Sequence, residues 1–143
     1  MSLSTRIAPH LPYLRRFARA VTGSQTSGDA YVAAALEALI ADLSIFPEAS
    51  SDRIALYKLF STMFSSSAVK VPEPVSTFPW ESRAAANLAN LTPRARQAFL
   101  LVAVEGFTHE EAAEILDVTA EDFTRLLDEA SLEISRQMAT DIL

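Results

Sequence analysis

Residues 91–134 read LTPRARQAFLLVAVEGFTHEEAAEILDVTAEDFTRLLDEASLEI. Thr92-Pro93 has the form of an N-cap followed by Pro at the first helical position, where a missing N–H is no loss. Gly106 is placed to end that helix about four turns later, and Phe99, Leu100, Ala103 and Val104 are its expected apolar face. Thr108 with Glu111 three residues on forms a capping box for a helix that runs only to Leu116. After Asp117-Val118, Thr119 and Asp122 repeat the capping pattern and open a longer helix. On it Phe123, Leu126, Leu127, Ala130, Ile134 and Met138 are expected to face inward. A short helix, a tight turn and a longer helix, packed on a preceding helix, make a helix-turn-helix.

The second helix of that motif normally reads DNA, and here its chemistry is wrong for the task. From Thr119 to Met138 it carries five acids (Glu121, Asp122, Asp128, Glu129, Glu133) against two bases, Arg125 and Arg136. Base edges are read mainly by Arg, Lys, Asn and Gln, and phosphate contacts need positive charge. Like charges about 4 Å apart cost on the order of 1 kcal/mol even in water, and more as water is excluded. The geometry of a DNA reader is kept while its electrostatics are reversed. Leu132 lies opposite Phe123, Leu127 and Ile134, among Arg125, Asp128, Glu129 and Arg136. An apolar side chain centred in a charged face is a candidate anchor for a partner helix.

The charge of the whole chain fits that reading. The net charge of −6 is uneven: residues 1–79 carry a balance of +1 and residues 80–143 one of −7. The C-terminal half therefore repels a polyanion. With 143 residues, half of them hydrophobic, the chain is long enough for one domain or two small helical ones. It has no Cys, which excludes disulfides, thiolate catalysis and Cys-based zinc sites. No apolar run approaches the ~20 residues of a membrane span, and the N-terminus lacks the continuous apolar stretch of a signal peptide. The expected setting is the cytoplasm.

Upstream, HLPYLRRFARAVTG (residues 10–23) reads as a helix with Pro12 in its first turn and Gly23 just past its end. Leu11, Leu14, Phe17, Ala18 and Val21 share one face, and Arg15, Arg16 and Arg19 lie largely on the other. Three arginines are few for a nucleic-acid surface, so they read as a solvated face. Ser27-Gly28-Asp29 is expected to cap a second helix from about Asp29 to Ala41. Ser51-Asp52 caps a third, to about Phe64, on which Ile54, Ala55, Leu59 and Met63 compete with Tyr57, Phe60 and Phe64 as the apolar stripe. Either that helix is buried nearly all round, or its Tyr57, Phe60 and Phe64 side is kept for a partner.

Residues 65–79, with three prolines, cannot continue a helix. The expected architecture is all-α: a helical subdomain over 1–64, a linker over 65–79, and a helix-turn-helix subdomain over 80–143. An alanine-rich helix is expected from Trp80 to Asn90, with Trp80 anchoring the linker to a core.

The segments LTPRARQAFLL and VEGFTHEEAAEILDVTAEDFTRLL resemble region 4 of extracytoplasmic-function sigma factors, with the Glu-Gly turn and the E-x-A-x-x-L first helix of that frame. LRRFARAVTGSQTSGDAYVAAALEAL is similar in outline to sigma region 2. RIAPHLPYLRRFARA, RQAFLLVAVEGFTHEEAAEIL and the closing ISRQMATDIL narrow the resemblance to the N-terminal sigma-like domain of PhyR-type response regulators. The resemblance implies a sigma mimic that captures the small helical anti-sigma factor NepR and so frees the true sigma factor in the general stress response. It also implies a receiver domain after about Leu143, whose phosphorylation exposes the capture surface, so the chain is expected to be a piece of a longer protein. The implied partner face comprises Arg125, Asp128, Glu129, Leu132 and Arg136, with Tyr57, Phe60 and Phe64 as further candidates.

The alternative is a working sigma factor or another helix-turn-helix DNA-binding regulator. Promoter melting needs basic and aromatic residues in region 2, yet ADLSIFPEASSDRIALYKLF (41–60) offers only Arg53 and Lys58 as bases. An enzyme is not indicated. His109-Glu110 could begin a zinc-protease helix, but position 113 is Ala where the second His would stand. Glu110/Glu114 and Glu129/Glu133 are helix-face carboxylates with no implied apolar pocket to shift them, and no cofactor is implied.

Overall fold

Stop signals of two kinds, left-handed residues and side-chain caps, divide the chain into short helices. The computed structural model describes residues 2–66 and 93–142, and all regular structure among them is helical. The helices are α1 (Leu3–Ile7), α2 (Leu11–Thr22), α3 (Gln25–Ala41), α4 (Asp52–Ser65), α5 (Pro93–Ala103), α6 (His109–Leu116) and α7 (Ala120–Ile142). The expected linker over 65–79 falls almost wholly outside the described residues, as do Trp80, the Trp80–Asn90 helix and Thr92.

Gly23 ends α2 in the left-handed region at φ 84°, as expected for a residue without Cβ. The next helix begins earlier than Ser27-Gly28-Asp29 indicated. Ser24 is the cap, its hydroxyl accepting from Ser27 N–H at 3.0 Å. Ser27 and Gly28 are thereby buried in the first turn. The reason is close approach: a Cβ on Gly28 would lie 2.5 Å from Arg19 N, 2.6 Å from Arg19 Cα and 2.8 Å from Ala18 C. The α2 and α3 backbones therefore touch at this glycine, and a fork from Arg19 to Asp29 (2.8 and 3.0 Å) closes the same crossing.

In the C-terminal half, Thr108 and Glu111 form both bonds of the capping box at 3.1 and 2.9 Å. Asp117 takes φ 55°, the one described non-glycine residue in the left-handed region, and turns the chain between α6 and α7. Asp122 N–H donates to Thr119 Oγ1 at 3.1 Å to cap α7. Phe123 and Ala130 are buried, and Leu126, Leu127 and Ile134 are partly so. Met138, expected inward, is exposed because α7 outruns the helices it packs against. Ala103 and Val104 also point outward, since α5 ends there, and Ala95, Ala98 and Leu101 take the inner face instead.

The two halves share one core. Leu14, Phe17, Ile54, Tyr57 and Phe60 from the first pack in the same cluster as Leu100, Leu101, Phe107, Ala112 and Ile115 from the second. This shared core explains the two stripes on α4. One stripe faces α2 and α3 and the other faces the helix-turn-helix, so Ile54, Leu56, Tyr57, Leu59 and Phe60 are all buried.

Candidate functional site

Spacing of three and four residues puts Arg125, Asp128, Glu129, Leu132 and Arg136 on one face of α7, away from the buried Phe123 and Ala130. All five are exposed, and Leu132 is 63% exposed at their centre. Both arginines lie against carboxylates of their own helix: Arg125 against Asp122 at 3.6 Å, and Arg136 against Glu133 at 3.4 Å. Glu133 also accepts from Gln137 at 3.0 Å. The cations that a DNA phosphate would need are thus already beside acids, and the surface around Leu132 stays net acidic.

The other three candidates sit differently. Tyr57 and Phe60 are 0% and 1% exposed, so these two are core residues here and do not form a presented face. The cause is a chain of rings. Phe107 meets Tyr57 at 4.9 Å, Tyr57 meets Phe17 at 5.3 Å, and Phe17 meets Phe60 at 5.8 Å. Phe64, at the far end, is half-buried, stacked on Phe60 and edge-on to Tyr31.

Beneath these rings runs a polar seam between the halves. The Glu105 side chain is wholly covered yet keeps its charge partners. Arg16 donates to its Oε2 through Nε and Nη2 at 3.1 and 2.9 Å, and Tyr57 OH donates to Oε1 at 2.5 Å. Arg53 donates to the Glu105 carbonyl at 2.7 Å while its guanidinium lies 3.9 Å above the Phe107 ring. Burial, and then the bond to Glu105, push the Tyr57 phenol well above its ordinary range, so it remains a donor. Farther out, Arg96 donates to Val21 O at 2.6 Å, Ser61 to Gln97 at 2.5 Å, and Ser50 to Glu114 at 2.9 Å through its N–H.

No group of three or more His, Cys, Asp or Glu side chains placed to hold a metal ion occurs among the described residues. The described residues therefore present two separate features: an exposed charged face on α7, and a buried polar seam among α2, α4 and the turn after α5.

Comparison with known proteins identifies the family. The family model described as the sigma2 domain of PhyR matches residues 7–61, and that for the PhyR response regulator sigma-like domain matches residues 88–137. The chain belongs to the PhyR family. It is similar over its whole length, at 42% identity, to the phyllosphere-induced regulator PhyR of Methylorubrum extorquens, of which it spans 53%. The anti-anti-sigma factor PhyR of Bartonella quintana, crystallised with the anti-sigma factor NepR, is 60% identical, with TM-score 0.83 over 95% of this chain and 50% of that one. A second crystal structure of B. quintana PhyR gives 0.74 over 94% of this chain and 47% of that one, at 61% identity. The chain thus spans about half the length of these PhyR relatives. Its fold alone is shared with the B. quintana sigma factor RpoE, crystallised with NepR, at 18% identity and TM-score 0.72 over 96% of this chain and 97% of that one.

In this PhyR-family chain the seam was not visible in the sequence. Arg16 read as solvated and Glu105 as part of a helix stop. Arg16 and Glu105 stand 89 positions apart, and Tyr57 and Glu105 stand 48 apart. The only local signal was a charged residue immediately before the Gly106 turn.

Proposed function

We propose that this chain is the partner-capturing half of a PhyR-type regulator. It binds a helical anti-sigma factor of the NepR kind and thereby releases an extracytoplasmic-function sigma factor in the general stress response. The observation that carries the reading is the exposed α7 face, which keeps the position of a recognition helix but centres Leu132 among Arg125, Asp128, Glu129 and Arg136. Two comparisons support it: a 60% identical relative was crystallised with NepR, and a sigma factor of the same fold was crystallised with NepR as well. A shape common to mimic and original allows one anti-sigma factor to choose between them.

In this reading, the working place is the cytoplasm and the domain has no catalytic duty. A receiver domain elsewhere in the full protein covers the capture surface until it is phosphorylated. The division into a sigma-2-like unit over 1–64, a linker over 65–79 and a sigma-4-like unit over 80–143 belongs to the same proposal. The two family matches, over 7–61 and 88–137, agree with it in outline.

The test is a competition. The 143-residue chain is added to a preformed complex of a NepR homologue with its sigma factor, and free sigma factor is followed by size exclusion. Displacement of sigma factor by stoichiometric chain is the expected result. Salt-dependent binding of promoter DNA or core polymerase, with the anti-sigma factor left alone, would overturn it.

A further inference from the structure

Glu105, Gly106 and Phe107 follow one residue after the end of α5 and form a turn with an unusual cargo. Glu105 N–H donates to Leu100 O at 3.0 Å and Phe107 N–H to Leu101 O at 3.0 Å, with Gly106 between them at φ 75°. The first bond spans six residues and the second seven, and the left-handed glycine inside the second lets the chain turn sharply off the helix end. It projects a carboxylate and a phenyl ring, two residues apart, into the N-terminal half. Glu105 is the one charged residue in the buried set among the described residues. The first half receives it with Arg16 from α2 and with Tyr57 and Arg53 from α4, Arg53 lying flat on the Phe107 ring.

We propose that this turn is a plug seated in an Arg16–Arg53–Tyr57 socket, and that Glu105 is a positioning residue for partner capture. Its task is to hold the two halves in the one mutual placement in which their outer faces engage a single partner. The inference rests on the reading of the chain as an anti-sigma binder.

Three observations point to positioning beyond stability alone. First, the socket is directional. A buried carboxylate held by three bonds from two helices tolerates one docking geometry, whereas a purely apolar seam can slide. Second, the seam adds directional bonds to an apolar core that the two halves already share, and helices on both sides keep stops of their own, Gly23 on α2 and the Thr108–Glu111 box on α6. Third, the B. quintana relative crystallised with NepR, 60% identical, shares the fold of this chain at TM-score 0.83, so both halves are present together in a partner-bound relative.

The chain has no cysteine, so two labels can be placed cleanly. Glu37→Cys on α3 and Ser131→Cys on α7 are both exposed and lie in different halves. Spin labels there, read by pulsed dipolar spectroscopy, report the mutual placement with and without a NepR homologue. In the parent chain we expect one narrow distance distribution, unchanged by partner. In Glu105→Ala the free distribution should broaden, affinity should fall at least tenfold as the competent fraction falls, and saturating partner should narrow the distribution again. Glu105→Gln, which keeps one hydrogen bond to Tyr57, should fall between the two. Arg16→Ala removes two of the bonds from a half-exposed side chain and should broaden the distribution without opening the core.

A narrow distribution and parental affinity in both Glu105→Ala and Arg16→Ala overturn the proposal. So does a loss of affinity with no broadening, which would make Glu105 a direct contact. If the parent chain ignores the NepR homologue, the functional reading fails, while the distances of the free chains still decide whether the plug sets placement.

Discussion

Truncating Leu132 measures the proposed capture face. The side chain is 63% exposed in the free chain, and full burial of a leucine is worth about 1.5–3 kcal/mol. If a partner covers what is now exposed, that fraction of the transfer energy amounts to roughly 1–2 kcal/mol. Leu132→Ala should therefore weaken binding of a NepR homologue about five- to thirtyfold. Leu132→Asp should weaken it further, because it adds a carboxylate to a face already carrying Asp128 and Glu129. Neither change should alter the fold, since the residue contributes nothing to the core and stands in the middle of a 23-residue helix. Isothermal titration gives the affinities, and far-ultraviolet circular dichroism with a melting curve checks the fold. Affinities within twofold of the parent for both variants, with melting unchanged, would remove Leu132 from the interface and refute the reasoning from exposure.

Gly28→Ala should destabilise the domain despite alanine's better helix propensity, because the new Cβ would meet Arg19 backbone atoms at 2.5 and 2.6 Å. Overpacking of this kind costs about 1–3 kcal/mol, a melting-temperature drop of roughly 4–12 °C, and an unchanged or higher value would show that the helices separate freely. Thr108→Ala removes the hydroxyl that accepts from Glu111 N–H and should cost about 1 kcal/mol in denaturant melts. The acid limb of stability follows from three carboxylates held below their ordinary values: Asp52 by Arg6, Glu114 by Ser50 and Asp42 by Ser44. A depressed folded-state pKa gives stability that is complete above the unfolded value and lost as pH falls through the folded one. Stability should thus be flat at neutral pH and decline below about 4.5. Glu114→Gln should make that decline shallower in pH-dependent denaturant melts.

Local features were legible from the sequence because they are settled within a few residues. Gly23 in the left-handed position, the Thr108–Glu111 capping box, and Ser51 before α4 each depend on neighbours three or four positions away. The helix-turn-helix and the acidic surface of α7 belong to the same class, since periodicity and charge are written along one helix. The start of α3 escaped because Ser24 and Ser27 are both plausible caps, and the close approach of Gly28 to α2 favours the earlier one.

What tertiary structure alone decided was which exposed-looking groups are covered. Tyr57 and Phe60 lie on an α4 face that could as well have met a partner, until Phe107 from the second half closes on Tyr57 and Phe17 and Tyr31 close on Phe60. Arg16 and Glu105 form a pair only because α2 and the turn after α5 meet at one point. A helix's own sequence specifies its caps and its stripe, but burial depends on what arrives from far along the chain. The sequence therefore determined the shape and sign of the α7 face, and the packing of the two halves determined that Glu105 is buried between Arg16 and Tyr57.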